Sequence, residues 1–184
     1  AYCVNLSDRA RAGKLDPLIG RTDELQRTIE VLCRRRKNNP VFAGDAGVGK
    51  TAMAECIANK LVAEAKSEDS ILFKLSNRVR GSGMVGEMGT LIAEAFRKVV
   101  QSAGKHRRAI LVIDEGDSLG ASRAQHHSHH EDKVAVNTLI QGVDDLRQYG
   151  GRIVVILCTN RLSALDAALR RRASIIEEFK RPSD

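Results

Sequence analysis

Residues 44–51 run Gly44-Asp45-Ala46-Gly47-Val48-Gly49-Lys50-Thr51, the arrangement of a phosphate-binding loop. Three glycines let the backbone turn tightly and aim successive N–H groups at phosphate oxygens with no Cβ in the way. Lys50 supplies a mobile ammonium for the β- and γ-phosphates, and the Thr51 hydroxyl is a hard oxygen ligand suited to Mg²⁺. The flanks test the match. Pro40-Val41-Phe42-Ala43 before it is a short apolar run, while Ala54, Ile57, Ala58, Leu61 and Val62 after it recur at helical spacing. Strand, loop and helix in that order put the phosphates on a helix N-terminus, where the dipole and free N–H groups favour an anion. Asp45, Ala46, Gly47, Val48, Gly49, Lys50 and Thr51 are therefore the expected cradle of a nucleoside triphosphate.

Working outward, Thr22 followed by Asp23 and Glu24 suits a helix start, with acids at the positive end of the dipole. Leu25, Thr28, Ile29 and Leu32 form its apolar stripe, and Arg34 to Lys37 read as a solvated basic helix end. Asn38-Asn39-Pro40 closes that helix and opens the first strand. Further strands are expected at Ile71–Leu75, Ala109–Ile113, Ile153–Leu157 and Ile175–Phe179. Between them lie helices striped by Ile92, Ala95, Phe96 and Val99, and by Val136, Leu139, Ile140 and Val143. Strands alternating with helices imply an α/β fold, here a five-stranded parallel sheet flanked by helices. Near-continuous aliphatic runs in the middle strands fit a sheet covered on both faces.

The strand through Ile113 ends in Asp114-Glu115. In a parallel sheet, ligands sit beyond the carboxyl ends of the strands, the edge that also carries the phosphate loop. Asp114 is then placed to hold Mg²⁺, and Glu115 to polarise an attacking water. Another aliphatic strand ends in Cys158-Thr159-Asn160. The Asn160 amide is expected to orient the same water, although a strand-end asparagine is as often a turn residue.

With 184 residues and 42% apolar content the chain can bury one good core. No apolar run approaches the length of a membrane span, and Ala1-Tyr2-Cys3-Val4-Asn5 does not read as a secretory signal. Cys3, Cys33, Cys56 and Cys158 are scattered, without a C-x-x-C pair, so free thiols in a reducing cytoplasm are expected. The net charge of +7 raises nucleic acid as a partner. Against it, the basic residues are dispersed and aromatics make up only 3%, leaving few platforms for stacked bases.

Phosphate loop, Asp114-Glu115, strand-terminal Asn160, then Leu165-Asp166-Ala167-Ala168-Leu169-Arg170-Arg171-Arg172 resemble the AAA+ ATPases over nearly the whole chain. Lys14-Leu15-Asp16-Pro17-Leu18-Ile19-Gly20-Arg21 and Arg34 to Pro40 look like the first ATPase ring of Clp-type unfoldases. From about residue 81 onward, Asp114 to Leu119 and the triple arginine look more like katanin and spastin. The resemblance implies ATP or ADP with Mg²⁺, and residues 1–184 as one large ATPase subdomain, without the helical lid of the family. Residues 1–22 would form its adenine-side segment, where Leu18 and Ile19 read the base, and 23–184 its αβ core. It implies Asn160 as a sensor, and Arg171 and Arg172 as fingers that reach the ATP of a neighbouring subunit in a ring, a hexamer when complete.

Gly83-Met84-Val85-Gly86-Glu87 aligns with a pore loop of the family, with Met84 where an aromatic residue is usual. His126, His127, His129 and His130 fall where a second pore loop is expected, and imidazoles at that density also attract Zn²⁺ or Ni²⁺. The leading expectation is an ATP-driven module that remodels or unfolds protein clients, with a protease or adaptor as a further partner. The alternatives are a nucleotide-dependent assembly module with little hydrolysis, and a nucleic-acid motor or loader.

Overall fold

The computed structural model describes residues 3–16, 19–64, 70–75, 87–114 and 130–181. A short strand β1 (Cys3–Asn5) runs into helix α1 (Leu6–Arg11), which Asn5 caps by accepting a hydrogen bond from the Asp8 N–H. Helix α2 (Thr22–Leu32) leads to strand β2 (Pro40–Ala43) and, past the glycine loop, to helix α3 (Lys50–Glu64). Then come β3 (Ser70–Leu75), α4 (Glu87–Ala103), β4 (Arg108–Ile113) and α5 (His130–Asp145). Strand β5 (Ile153–Thr159), helix α6 (Ala167–Arg172) and strand β6 (Ile175–Glu178) complete the order.

The sheet has strand order β1-β3-β4-β5-β2-β6. Five strands are parallel, as expected, but the sheet is six-stranded: β1 pairs antiparallel with β3, Val4 opposite Lys74. Part of the expected adenine-side segment, residues 3–7, therefore belongs to the sheet and core. Leu6 is fully buried, and the Ser7 hydroxyl accepts the Leu72 N–H at 2.8 Å, so this segment closes one sheet edge.

Alternate residues of the inner strands serve two cores. Phe73, Leu111, Val155 and Val41 face α4, α5 and α6, packing on Ile92, Val99, Leu139 and Leu169. Leu72, Val112, Ile156 and Phe42 face the opposite way, onto Leu6, Leu32, Met53, Ile57 and Ala58 of α1, α2 and α3. This is why those strands read as unbroken aliphatic runs. On α2 the buried stripe is Thr28, Val31 and Leu32, while Leu25 is only half-buried, a rotation of the expected face by less than one turn.

Candidate functional site

Parallel register brings three chain segments to one edge. Ala43 pairs with Thr159, Ile113 with Leu157, and Leu75 with Ile113. The glycine loop, Asp114 and Asn160 therefore leave the sheet side by side, at the carboxyl ends of β2, β4 and β5.

The loop adopts the shape its glycines allow. Gly44, Gly47 and Gly49 have φ of 148°, 83° and 94°, which L side chains rarely adopt. At Gly44 there is also no room: a Cβ would lie 2.3 Å from the Phe179 carbonyl oxygen. Asp45, Ala46 and Gly47 face solvent, whereas Val48 is buried in the core beneath and pins the loop to it. The Lys50 ammonium, on a 5% exposed residue, donates to the carbonyl oxygens of Gly44 and Asp45, both at 2.7 Å. Two of its three protons thus fix the loop's curvature, and the third remains for an anion held there.

The Thr51 hydroxyl, in the first turn of α3, donates to Asp114 Oδ2 at 2.7 Å. A hydroxyl and a carboxylate, both hard oxygen donors on the phosphate edge, fit the requirements of Mg²⁺ completed by phosphate oxygens and water. Lys74 Nζ lies 3.3 Å from the same Asp114 oxygen. Lys74 belongs to the site, and the sequence reading passed over it as one polar residue in an apolar strand. On the face of β3 shared with Leu72 it points toward α3, and only the register with β4 reveals its partner. Fully buried Cys158 is near these charges. Burial foremost, then the negative Asp114, pushes its thiol well above the ordinary range, although Lys50 and Lys74 pull the other way. It stays protonated and inert.

Arg21 and Phe179 are two further residues that the sequence did not mark. The Arg21 guanidinium stacks on the Phe179 ring at 4.9 Å, and donates to Glu24 at 3.0 Å and to the Lys180 carbonyl. The Phe179 N–H donates to the Ala43 carbonyl oxygen at 2.7 Å. Together they tie the start of α2 and the end of β6 to the base of the loop.

Of the remaining candidates, Asn160 is half-buried at the nucleotide edge, just beyond buried Thr159. Ile19 is 92% exposed. Arg171 and Arg172 emerge at the opposite edge, because α6 delivers the chain to the start of β6, where Ile175 pairs with Pro40. The two differ. Arg172 donates to both carboxylate oxygens of Asp144, from Nε at 2.8 Å and from one terminal nitrogen at 2.6 Å, while Arg171 is exposed. Glu115, Leu18, the Met84 loop and His126, His127 and His129 lie outside the described residues. Among the described residues no cluster of three metal-ligating side chains occurs, and no helix is long and apolar enough to cross a membrane.

Residues 40–181 match the family model of AAA, ATPases associated with various cellular activities. Over 142 residues the chain is 74% identical to CD-NTase-associated protein 6 of Escherichia coli strain KTE188, covering 77% of this chain and 48% of that protein. It is 34% identical over 177 residues to the ATP-binding subunit ClpE of the Clp protease from Lactococcus lactis, covering 93% of this chain and 22% of that one. Among solved structures, the E. coli MS115-1 HORMA:CdnC:Trip13 complex superposes with a TM-score of 0.80 at 33% identity, covering 98% of this chain and 70% of that one. The Hsp104:casein complex of Saccharomyces cerevisiae gives 0.70 at 28% identity, covering 99% and 30%. The chain spans about half the length of the CD-NTase-associated proteins that it matches.

Proposed function

The chain belongs to the AAA ATPase family, and on that premise we propose that it hydrolyses Mg-ATP between neighbouring copies in a ring and so remodels a protein partner. The observation that carries this reading is the 2.7 Å contact between Thr51 and Asp114 at the mouth of a loop whose own lysine is already turned inward. Lys50 and the loop N–H groups would bind the phosphates, and Thr51 and Asp114 would hold Mg²⁺. The metal would neutralise phosphate charge as the terminal phosphoryl group departs. Glu115, the residue after Asp114, would take a proton from the attacking water, and Asn160 would orient that water. Leu18 and Ile19 would border the base. Arg171 is the free finger for a neighbour's ATP.

A protein client is supported by the company relatives keep: one solved relative is complexed with HORMA and CdnC, and another with casein. Four free cysteines suit a reducing compartment, the cytoplasm. The engagement of Arg172 with Asp144 favours a second reading, an assembly module that binds ATP and turns it over slowly.

Glu115→Gln separates these roles. Fluorescent-nucleotide affinity should be unchanged and steady-state phosphate release should fall about 10²–10⁴-fold, the usual worth of a positioned base. Undiminished turnover would reject Glu115 as that base.

A further inference from the structure

Two basic stretches far apart in sequence, the turn between α2 and β2 and the end of α6, line one cleft of about 600 Å³ at the strand-start edge. Arg35, Arg36, Lys37, Arg147, Arg171 and Arg172 all face it, and among the described residues no acidic side chain lines it. Arg147 and Arg172 converge on Asp144, just behind the wall, at 3.2 and 2.6 Å. Among the described residues the other four cations make no hydrogen bond or ion pair.

The turn is not a frayed helix end. The Asn38 amide donates to the carbonyl oxygens of Arg34 and Gly151, at 3.2 and 3.1 Å. Asn39 Oδ1 accepts from the Val155 N–H at 2.9 Å, and its carbonyl from the Ser174 N–H at 2.8 Å. Gly151, at φ 85°, lets the turn sit this close: a Cβ there would come within 2.7 Å of the Arg34 carbonyl oxygen. The backbone therefore gathers like charges that would otherwise separate. At the same wall the Ser174 hydroxyl is buried and, among the described residues, has no hydrogen-bond partner. Four unpaired cations and an orphan hydroxyl are complementary to a multiply charged oxyanion. Among the described residues the lining contains no aromatic side chain to stack on a base.

We infer that this cleft is a second anion site, which takes a phosphate chain through Arg35, Arg36, Lys37 and Arg171. The phosphate chain has two possible sources. One is the triphosphate on a neighbouring copy, which rests on the ring reading above; the other is a free polyphosphate or nucleotide from solution, which does not.

The test starts with Lys50→Ala, which disables the loop, and titrates it with tripolyphosphate by calorimetry. If the anion comes from solution, binding is expected, steeply weakened by salt. Arg35→Glu with Arg36→Glu should then weaken it at least about tenfold, since charge-assisted contacts become repulsive. Arg97→Glu with Lys105→Glu makes the same charge change outside the cleft and should leave binding unaltered. If the anion comes from a neighbour, the Arg35/Arg36 pair of changes in the Lys50 chain should abolish ATP-driven self-association in sedimentation, while the affinity for fluorescent nucleotide stays put. Should the pair not fold, Arg171→Gln on the exposed helix end carries both measurements. A cleft variant that matches the control pair in tripolyphosphate binding and in self-association overturns the inference. That result would leave the Glu115 experiment untouched, so the two readings fail separately.

Discussion

The two edges of the sheet handle charge in opposite ways. At the carboxyl edge the site's charges are committed: Lys50 is bonded to two loop carbonyls, and Asp114 meets Thr51 and Lys74. At the amino edge Arg35, Arg36, Lys37 and Arg171 share a cleft and, among the described residues, have no partners of their own. A site built to position a metal and a phosphate gains from internal bonds, because they hold donors where the ligand needs them. A surface that receives charge from another molecule gains from leaving cations uncompensated, because a pair already formed must be broken first.

The sharpest way to break this contrast is at α6. Arg171→Ala should lower turnover of the assembled protein by about 10³-fold, the lower end of what an arginine supplied in trans contributes, and leave the thermal midpoint in place. Equal turnover would remove Arg171 from the reaction. At the other edge, Lys50→Ala should weaken nucleotide binding by about 10–100-fold, the equivalent of one charged hydrogen bond. Fluorescent-nucleotide titration reads this, and an unaltered affinity would sink the loop assignment.

Lys74→Met sharpens the comparison within the nucleotide edge. With one cation removed from Asp114, Mg²⁺ should half-saturate the protein–nucleotide complex at a concentration about tenfold lower. An unchanged midpoint in a Mg²⁺ titration, followed by nucleotide fluorescence, would show that Lys74 does not compete for that carboxylate.

The smallest effect is expected at Asp144. The hydrogen bond from Arg172, with help from its charge and that of Arg147, holds the Asp144 carboxyl below the usual range despite partial burial. A depressed folded-state pKa means stability that is present above the ordinary carboxylate pKa near 3.9 and lost as pH falls through the lower folded value. Because the pair is partly solvated, its worth is no more than about 1 kcal/mol. Asp144→Asn should therefore lower the urea midpoint slightly at pH 7 and flatten its decline in acid. A variant as acid-sensitive as the parent would show that other carboxylates dominate.

Much of this molecule was legible locally. Three largely aliphatic runs became β3, β4 and β5 to within two residues at either end, because a doubly covered parallel strand must be apolar on both faces, and Ile175–Phe179 became the edge strand β6 to within one. The buried stripes of α4 and α5 fell where the 3.6-residue period put them. Strand β1 escaped notice, since three residues are too few to show alternation, and it exists because β3 offers an edge. Lys74 escaped for a related reason: a lysine near the end of an apolar strand has no meaning until the neighbouring strand brings Asp114 to it. Arg34 to Lys37 read as a solvated helix end, yet Gly151 and Asn38 seat that turn against the start of β5.

By itself the amino-acid sequence determined the phosphate loop, the strand–helix alternation and the acids that follow β4, because each rests on residue type and short spacing along the chain. Which arginine stays free, which lysine faces Asp114 and which basic stretches share a cleft were decided only by tertiary structure. Those properties depend on strand register and helix packing, which join residues too distant in the chain for any local pattern to connect.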